Sequence, residues 1–425
     1  MSNFITFGCW NKGNCIPGPE LSNPLSRVIA KMDSYIRTPG KELPSFVCVA
    51  GDNYYPEIVG KGPDKKKHLS IPDLRSGFDC LSEFQKKHPS IPIDIIAGNH
   101  DTENTNKMTV IQGSTHVVEE PCIITKAEID STMHHHNMNF TMFNYRIINN
   151  TLVIMLDSNI YCETLGDEEL QCYTLLVNHT LSTLKLEKLH DGSPITVDQL
   201  KVIQGAWLDR MYGSIGTRKF ANVVIVAHHP LALYKVKNKE CRYDIVEKDY
   251  LEFCHSIYTH LRDRNNSLHF FYSCADLHTY QSGTVTIHHA SDHSDTITIS
   301  QEIAGTGGAH LETEYANMQP ECSSVHTSKL VEYHMTKINH NHGFLHWLID
   351  SGSGNLSATF IPVDSVLSGS ASASGSGSAS GSARDGGTKR RRQRASKRRR
   401  QRTSKRRSKR QRRIRRSRSR SRSRH

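Results

Sequence analysis

Residues 46–55, FVCVAGDNYY, form a short apolar run that stops at Gly51 and then presents Asp52, Asn53 and Tyr55. A buried strand that ends in glycine and hands over polar groups is how an open α/β sheet furnishes its carboxyl edge, where such sheets bind their ligands. The same design recurs at residues 4–10 (FITFGCW), 93–101 (IDIIAGNHD), 223–230 (VVIVAHHP) and 269–278 (HFFYSCADLH). Each is an apolar strand, a small residue, then a side chain able to hold a metal ion. Laid side by side, these strands bring Cys9, Asp52, Tyr55, Asn99, His228, Asp276 and His278 to one edge, more ligands than a single ion needs. Two metals sharing one bridging carboxylate are the natural expectation.

The segments between these strands carry helical spacing. Leu25, Val28, Ile29, Met32 and Ile36 make one apolar stripe, and Leu74, Phe78, Leu81 and Phe84 make a second that ends near Pro89, so the chain opens as successive βαβ units. Thr196-Val197-Asp198-Gln199 is a capping box ahead of Leu200, Ile203, Trp207 and Met211, and Tyr250, Leu251, Cys254, Ile257 and Leu261 mark another helix. A hairpin is expected across Asn149-Asn150. Residues 102–144 look irregular, with His134-His135-His136 as a solvated run, and 163–194 look like a polar insertion. Beyond His278 the texture changes to short alternating strands at 283–288, 296–300, 343–350 and 357–362, expected to form a second sheet packed on the first.

A hydrophobic fraction of 36% is low for a chain of 425 residues folded throughout, so part of it is non-globular. That part is the end. From Arg384 onward there are 24 Lys and Arg against the single acid Asp385; taken from totals of 54 and 42, this leaves 30 bases and 41 acids for residues 1–383. The net +12 is therefore +23 on the tail and −11 on the rest. We divide the chain into a folded domain at 1–365, a Ser/Gly/Ala linker at 366–388 and a disordered basic tail at 389–425 that suits DNA or RNA as partner. No run of about 18 apolar residues exists, which argues against a membrane span. The apolar run 4–7 is too short for a secretory leader, and eleven scattered Cys without CxxC pairs are expected to be free thiols, so the expected location is intracellular, nuclear or nucleoprotein-associated.

In order and type, Gly8-Cys9-Trp10, Gly51-Asp52-Asn53-Tyr54-Tyr55, Gly98-Asn99-His100-Asp101, Ala227-His228-His229-Pro230 and Ala275-Asp276-Leu277-His278 resemble the five motifs of the calcineurin-like metallophosphoesterases. The aromatic Gly-Asp-Asn block and Trp10 look most like the tartrate-resistant type of purple acid phosphatase. The resemblance covers residues 1–365 and implies an α/β fold of two packed mixed β-sheets flanked by helices, four layers in all. It implies a phosphatase acting on phosphomonoesters with two metal ions, iron paired with zinc, manganese or iron, and a hydroxide held by the metals that attacks phosphorus. Asp52 would bridge, Tyr55, His278 and Cys9 would serve one ion, and Asn99, His228 and Asp276 the other. His100 would protonate the leaving oxygen, steadied by Asp101, and His229 would line the phosphate pocket. Cys9 stands where the family carries Asp, and Asp276 where it carries the first His of a Gly-His-x-His block, so a phosphodiesterase or nuclease at the same site, or an inactive fold serving nucleic-acid packaging, are the alternatives.

Overall fold

The computed structural model describes residues 2–363 except 13–14, 16–22, 60–65, 104–108, 112–120, 134, 136, 187–194, 238–239, 263–267, 290–294, 312–325 and 328–329. The linker, the basic tail, His134 and His136 lie outside the described residues.

Two large mixed sheets carry the architecture. The first runs, in spatial order, Leu356–Pro362, Gly343–Ile349, Ser2–Phe7, Val47–Ala50, Ile93–Ile96 and Met138–Phe140. Its last four strands are parallel, and the two from the chain's end pair antiparallel. The second runs His326–Thr327, Val331–Asn339, Tyr280–His288, Thr296–Ala304, His269–Cys274, Asn222–Val226, Thr151–Met155 and Asn144–Ile148. Parallel pairing at its centre joins Thr151–Met155, Asn222–Val226, His269–Cys274 and Thr296–Ala304.

Strand alternation explains why the sheets stack. On the first sheet Phe4, Phe46, Cys48, Ala50 and Ile96 belong to one buried cluster with Val153, Met155, Val224, Val226 and Ala275 of the second, while Ile5, Phe7, Val47, Val49, Ile93 and Ile95 face the other way, into the cluster that holds the helices. With both faces buried, the strands read as continuous apolar runs. Between the sheets Phe4 stacks on Phe46 at 5.0 Å and on Trp347 at 5.6 Å, and Thr6 reaches Ser273 across the gap, oxygen to oxygen, at 2.8 Å. Outside, Phe78 of helix Ile71–Lys87 meets Trp10, and Tyr250 and Tyr258 of helix Lys248–Arg262 meet Tyr272 and Phe270. The expected two-sheet α/β class is therefore observed.

Four expectations need correction. The five motif strands do not lie in one sheet: those before Cys9, Asp52 and Asn99 belong to the first, those before His228 and Asp276 to the second. The late strands do not make a sheet of their own, because Gly343–Ile349 and Leu356–Pro362 cross to the first sheet and the others extend the second. Helices Ile123–Met133 and Asp167–Thr183 stand in the stretches read as irregular and as a polar insertion. The former buries Thr125, Glu128 and Thr132 along with its apolar residues, which erases the periodic signal; the latter opens with Asp167, Glu168 and Glu169, acids that suit the positive end of a helix. Finally, Cys15 is bonded to Cys80 and Cys122 to Cys172, with Cα separations of 6.2 and 5.0 Å. The thiol argument for a reducing compartment falls with those bonds. His135, the described member of the triple histidine, places Nδ1 2.9 Å from Ser82 Oγ and so braces two helices.

Candidate metal centre

The site lies where the ends of the two sheets meet. After strands Ser2–Phe7, Val47–Ala50 and His269–Cys274 the chain takes one small residue and then turns left-handed, at Cys9 (φ 52°), Asp52 (φ 53°) and Asp276 (φ 54°). For residues other than glycine such backbone costs about 1–2 kcal/mol each and persists only where its surroundings impose it. The two residues that depart from the resembled family thus share the backbone of the one that does not. Cross-bonds hold the turns: Cys9 N–H donates to Gly51 O at 3.0 Å, Trp10 N–H to Asp52 O at 3.3 Å and Ala275 N–H to His228 O at 3.0 Å. Gly8 closes the seam between the sheets, since a Cβ there would lie 2.6 Å from Ala275 Cβ and 2.9 Å from Ala50 O. A Cβ on Gly98 would overlap Asp52 N and Oδ1.

Asp52 is buried and is the hub. Its Oδ2 accepts from the Tyr55 hydroxyl at 2.5 Å and from Cys9 Sγ at 3.8 Å, and the Tyr55 hydroxyl is also 2.9 Å from His278 Nε2. Its Oδ1 accepts from His100 N–H at 3.2 Å and lies 3.3 Å from His228 Nε2, which is 3.2 Å from Asn99 Oδ1 and 4.0 Å from Asp276 Oδ1. One carboxylate is thus flanked on one oxygen by Cys9, Tyr55 and His278 and on the other by His228, Asn99 and Asp276, and all seven expected ligands are brought together. Ligand atoms of Cys9, Asp52 and His278 lie within 4.8 Å of one another, close enough for one ion.

The donor set suits a cation. His228 Nδ1–H donates to Ala50 O at 2.9 Å and His278 Nδ1–H to His310 O at 2.8 Å, so each ring turns Nε2 inward, the tautomer control that accompanies metal-bound imidazoles. Burial opposes charge on Asp52, yet His228 and His100 hold its carboxyl far below the usual range. Burial likewise opposes charge on His228, which Asp52 and Asp276 push up to about 10. The site draws positive charge to itself. The Cys9 thiol and Tyr55 phenol are pushed well up, by burial first and then by Asp52, so both are neutral donors here and ligate as anions only if a cation displaces their protons.

The supports differ in part from expectation. Asp101 does not steady His100. Its oxygens accept from Gly98 N–H at 2.6 Å, Asn53 N–H at 2.7 Å and Asn53 Nδ2 at 2.8 Å, which locks the Asp52 and Asn99 turns together. Asn53 also donates to Ile96 O at 3.0 Å and accepts from Trp10 Nε1 at 2.9 Å. The carboxylate at His100 is Glu103, whose Oε1 stands 3.0 Å from Nδ1, and the Tyr55 ring packs between His100 and His278. His229 has Nδ1 3.0 Å from Ser158 Oγ and Nε2 3.2 Å from Glu163 Oε1. Asp157 accepts from Asn159 N–H and is raised to about 6 by burial, a structural group below the site. The sequence reading missed Glu103, Ser158 and Glu163; the i,i+3 spacing of His100 and Glu103 was the one signal available.

Solved structures with a similar fold include a purple acid phosphatase, PPD1, from yellow lupin (Lupinus luteus) seeds, with 11% identity and a TM-score of 0.46, over 85% of this chain and 51% of that one. PhoD is similar at 11% identity and a TM-score of 0.43, over 84% of this chain and 68% of that one. The chain spans about half the length of the lupin protein. No protein-family model and no curated protein matches it. A likeness of this strength transfers no residue role.

Proposed function

We propose that the chain is a binuclear metallophosphoesterase of the calcineurin-like superfamily that hydrolyses phosphomonoesters. The observation that carries the reading is Asp52, whose two oxygens each face a separate set of candidate ligands. Cys9, Tyr55 and His278 would hold one ion; His228, Asn99 and Asp276 the other. Thiol and phenol beside the first favour iron or zinc, and the oxygen-rich second favours iron, manganese or zinc. Two such ions supply Lewis acidity and a nucleophile at neutral pH.

The remaining chemistry falls to the chain itself. The Asn99 amide donates to an equatorial phosphate oxygen. Glu103 Oε1, 3.0 Å from His100 Nδ1, orients the ring so that Nε2 can give its proton to the leaving oxygen. His229 serves the phosphate when an anion takes the place of the Glu163 carboxylate at Nε2. The basic tail, by its sequence, would tether this domain to DNA or RNA through salt-sensitive contacts with phosphates.

The test is turnover of phenyl phosphate and of diphenyl phosphate after reconstitution with iron, zinc or manganese. Metal-dependent release of phenol from the monoester supports the reading. Preference for the diester would point to the phosphodiesterase alternative, and inertness of the metal-loaded protein to both would point to the inactive one.

A further inference from the structure

Among the described residues, four basic side chains without acidic partners gather next to His278. The loop that follows strand Thr296–Ala304 is tied to the site: Gly307 N–H donates to Gly8 O at 3.0 Å, Ala309 N–H to Cys9 O at 2.9 Å, and His310 O accepts from His278 Nδ1–H. The turn into strand Gly343–Ile349 is tied to that loop, with Gly343 N–H donating to Thr306 O at 3.1 Å and His342 Nδ1 donating to the same oxygen at 3.3 Å. Helix Pro24–Ile36 closes the third side, because Gly308 sits so near Leu25 that a Cβ would lie 2.9 Å from its Cα. Arg27, His310, His340 and His342 are thereby collected in one place.

We propose that Arg27, His310, His340 and His342 form a subsite for a phosphate dianion beside the metal centre, filled by a second phosphate group on the substrate. Arg27 Nε and His340 Nδ1 are buried and have no hydrogen-bond partner among the described residues. Buried donors left unpaired are unfavourable, and an anion accepting from both would relieve this. Burial pushes His342 down to about 4, and the charged neighbours that add to this, Arg27, His340 and His310, are all basic. His340 is lowered by burial and by His310. Among the described residues no carboxylate is paired with His340 or His342, so the cluster has no counter-ion there. The His310 carbonyl accepts from the His278 ring, which places the cluster next to a candidate ligand of the metal centre.

The inference rests on the phosphoesterase reading and is tested so that the two can fail separately. Turnover of phenyl phosphate and of 1,4-phenylene bisphosphate is measured for the full chain, Arg27→Gln and His340→Gln, with near-ultraviolet circular dichroism as the check on folding. The full chain should favour the bisphosphate by about tenfold in kcat/KM, through KM, against a factor of about two from its having two ester groups. Either variant should fall back to that factor of about two. A full chain with no preference beyond that factor overturns the subsite. If neither ester is turned over, the phosphoesterase reading fails and calorimetry with inorganic phosphate decides: weaker binding in both variants supports the subsite, and equal or absent binding overturns it. Weakened phosphate binding without bisphosphate preference would assign the cluster to free phosphate and overturn the substrate claim.

Discussion

The two sheets bring their share of the centre into place by different means. On the first, Asp101 takes three hydrogen bonds, Asn53 ties Trp10, Ile96 and Asp101 together, and Cys9, Asp52 and Asn99 follow from that web. On the second, His228 and His278 are each aimed by one carbonyl, and the Asp276 side chain is 28% exposed. One half is preset and the other adjustable.

Removing the hub should empty both halves of the centre. Asp52→Asn removes the one carboxylate that faces both ligand sets, so both ions should be lost and phenyl phosphate turnover should fall by roughly 10³-fold or more, read by metal analysis and kinetics. On the preset half, Asp101→Ala leaves Gly98 N–H, Asn53 N–H and one of the two Asn53 Nδ2 protons unpaired and should cost about 3–5 kcal/mol of stability by urea titration, while Asp276→Ala on the adjustable half should cost about 1 kcal/mol or less. Equal losses would show that the halves do not differ. Cys9→Asp sharpens the contrast, exchanging a soft ligand for a hard one at constant backbone. It should shift the bound metal from zinc towards iron by about tenfold in relative occupancy. The smallest effect belongs to Glu163→Gln, which removes a carboxylate from His229 Nε2 without touching the candidate ligands. Inhibition by inorganic phosphate should tighten by about threefold, because the anion no longer displaces a charged competitor.

Much of this was legible because the chain writes each ligand with the same phrase, an apolar strand, a small residue and a metal-binding side chain. Cys9, Asp52, Asn99, His228 and Asp276 could be picked out that way, and they do converge. That their strands divide between two sheets could not be read, since all five are buried on both faces and carry no mark of their neighbours. Helix Ile123–Met133 was hidden because Glu128 and Thr132 lie on its buried side. Glu163 and Ser158 sit on a connection with no period of its own, and the Cys pairs are separated by 50 and 65 residues. Asp101 was found but given the wrong neighbour: a residue adjacent in sequence to His100 turns inward, and the carboxylate one helical turn later takes its place.

Asp52 is proposed to join two cation sites, and a count of bound metal decides this. The full chain, reconstituted and freed of excess ion, is analysed for iron, zinc and manganese beside Asp52→Asn. About two ions per chain are expected in the wild type and fewer than about half an ion in the variant. One ion or none in the wild type, or the same count in both proteins, would contradict it.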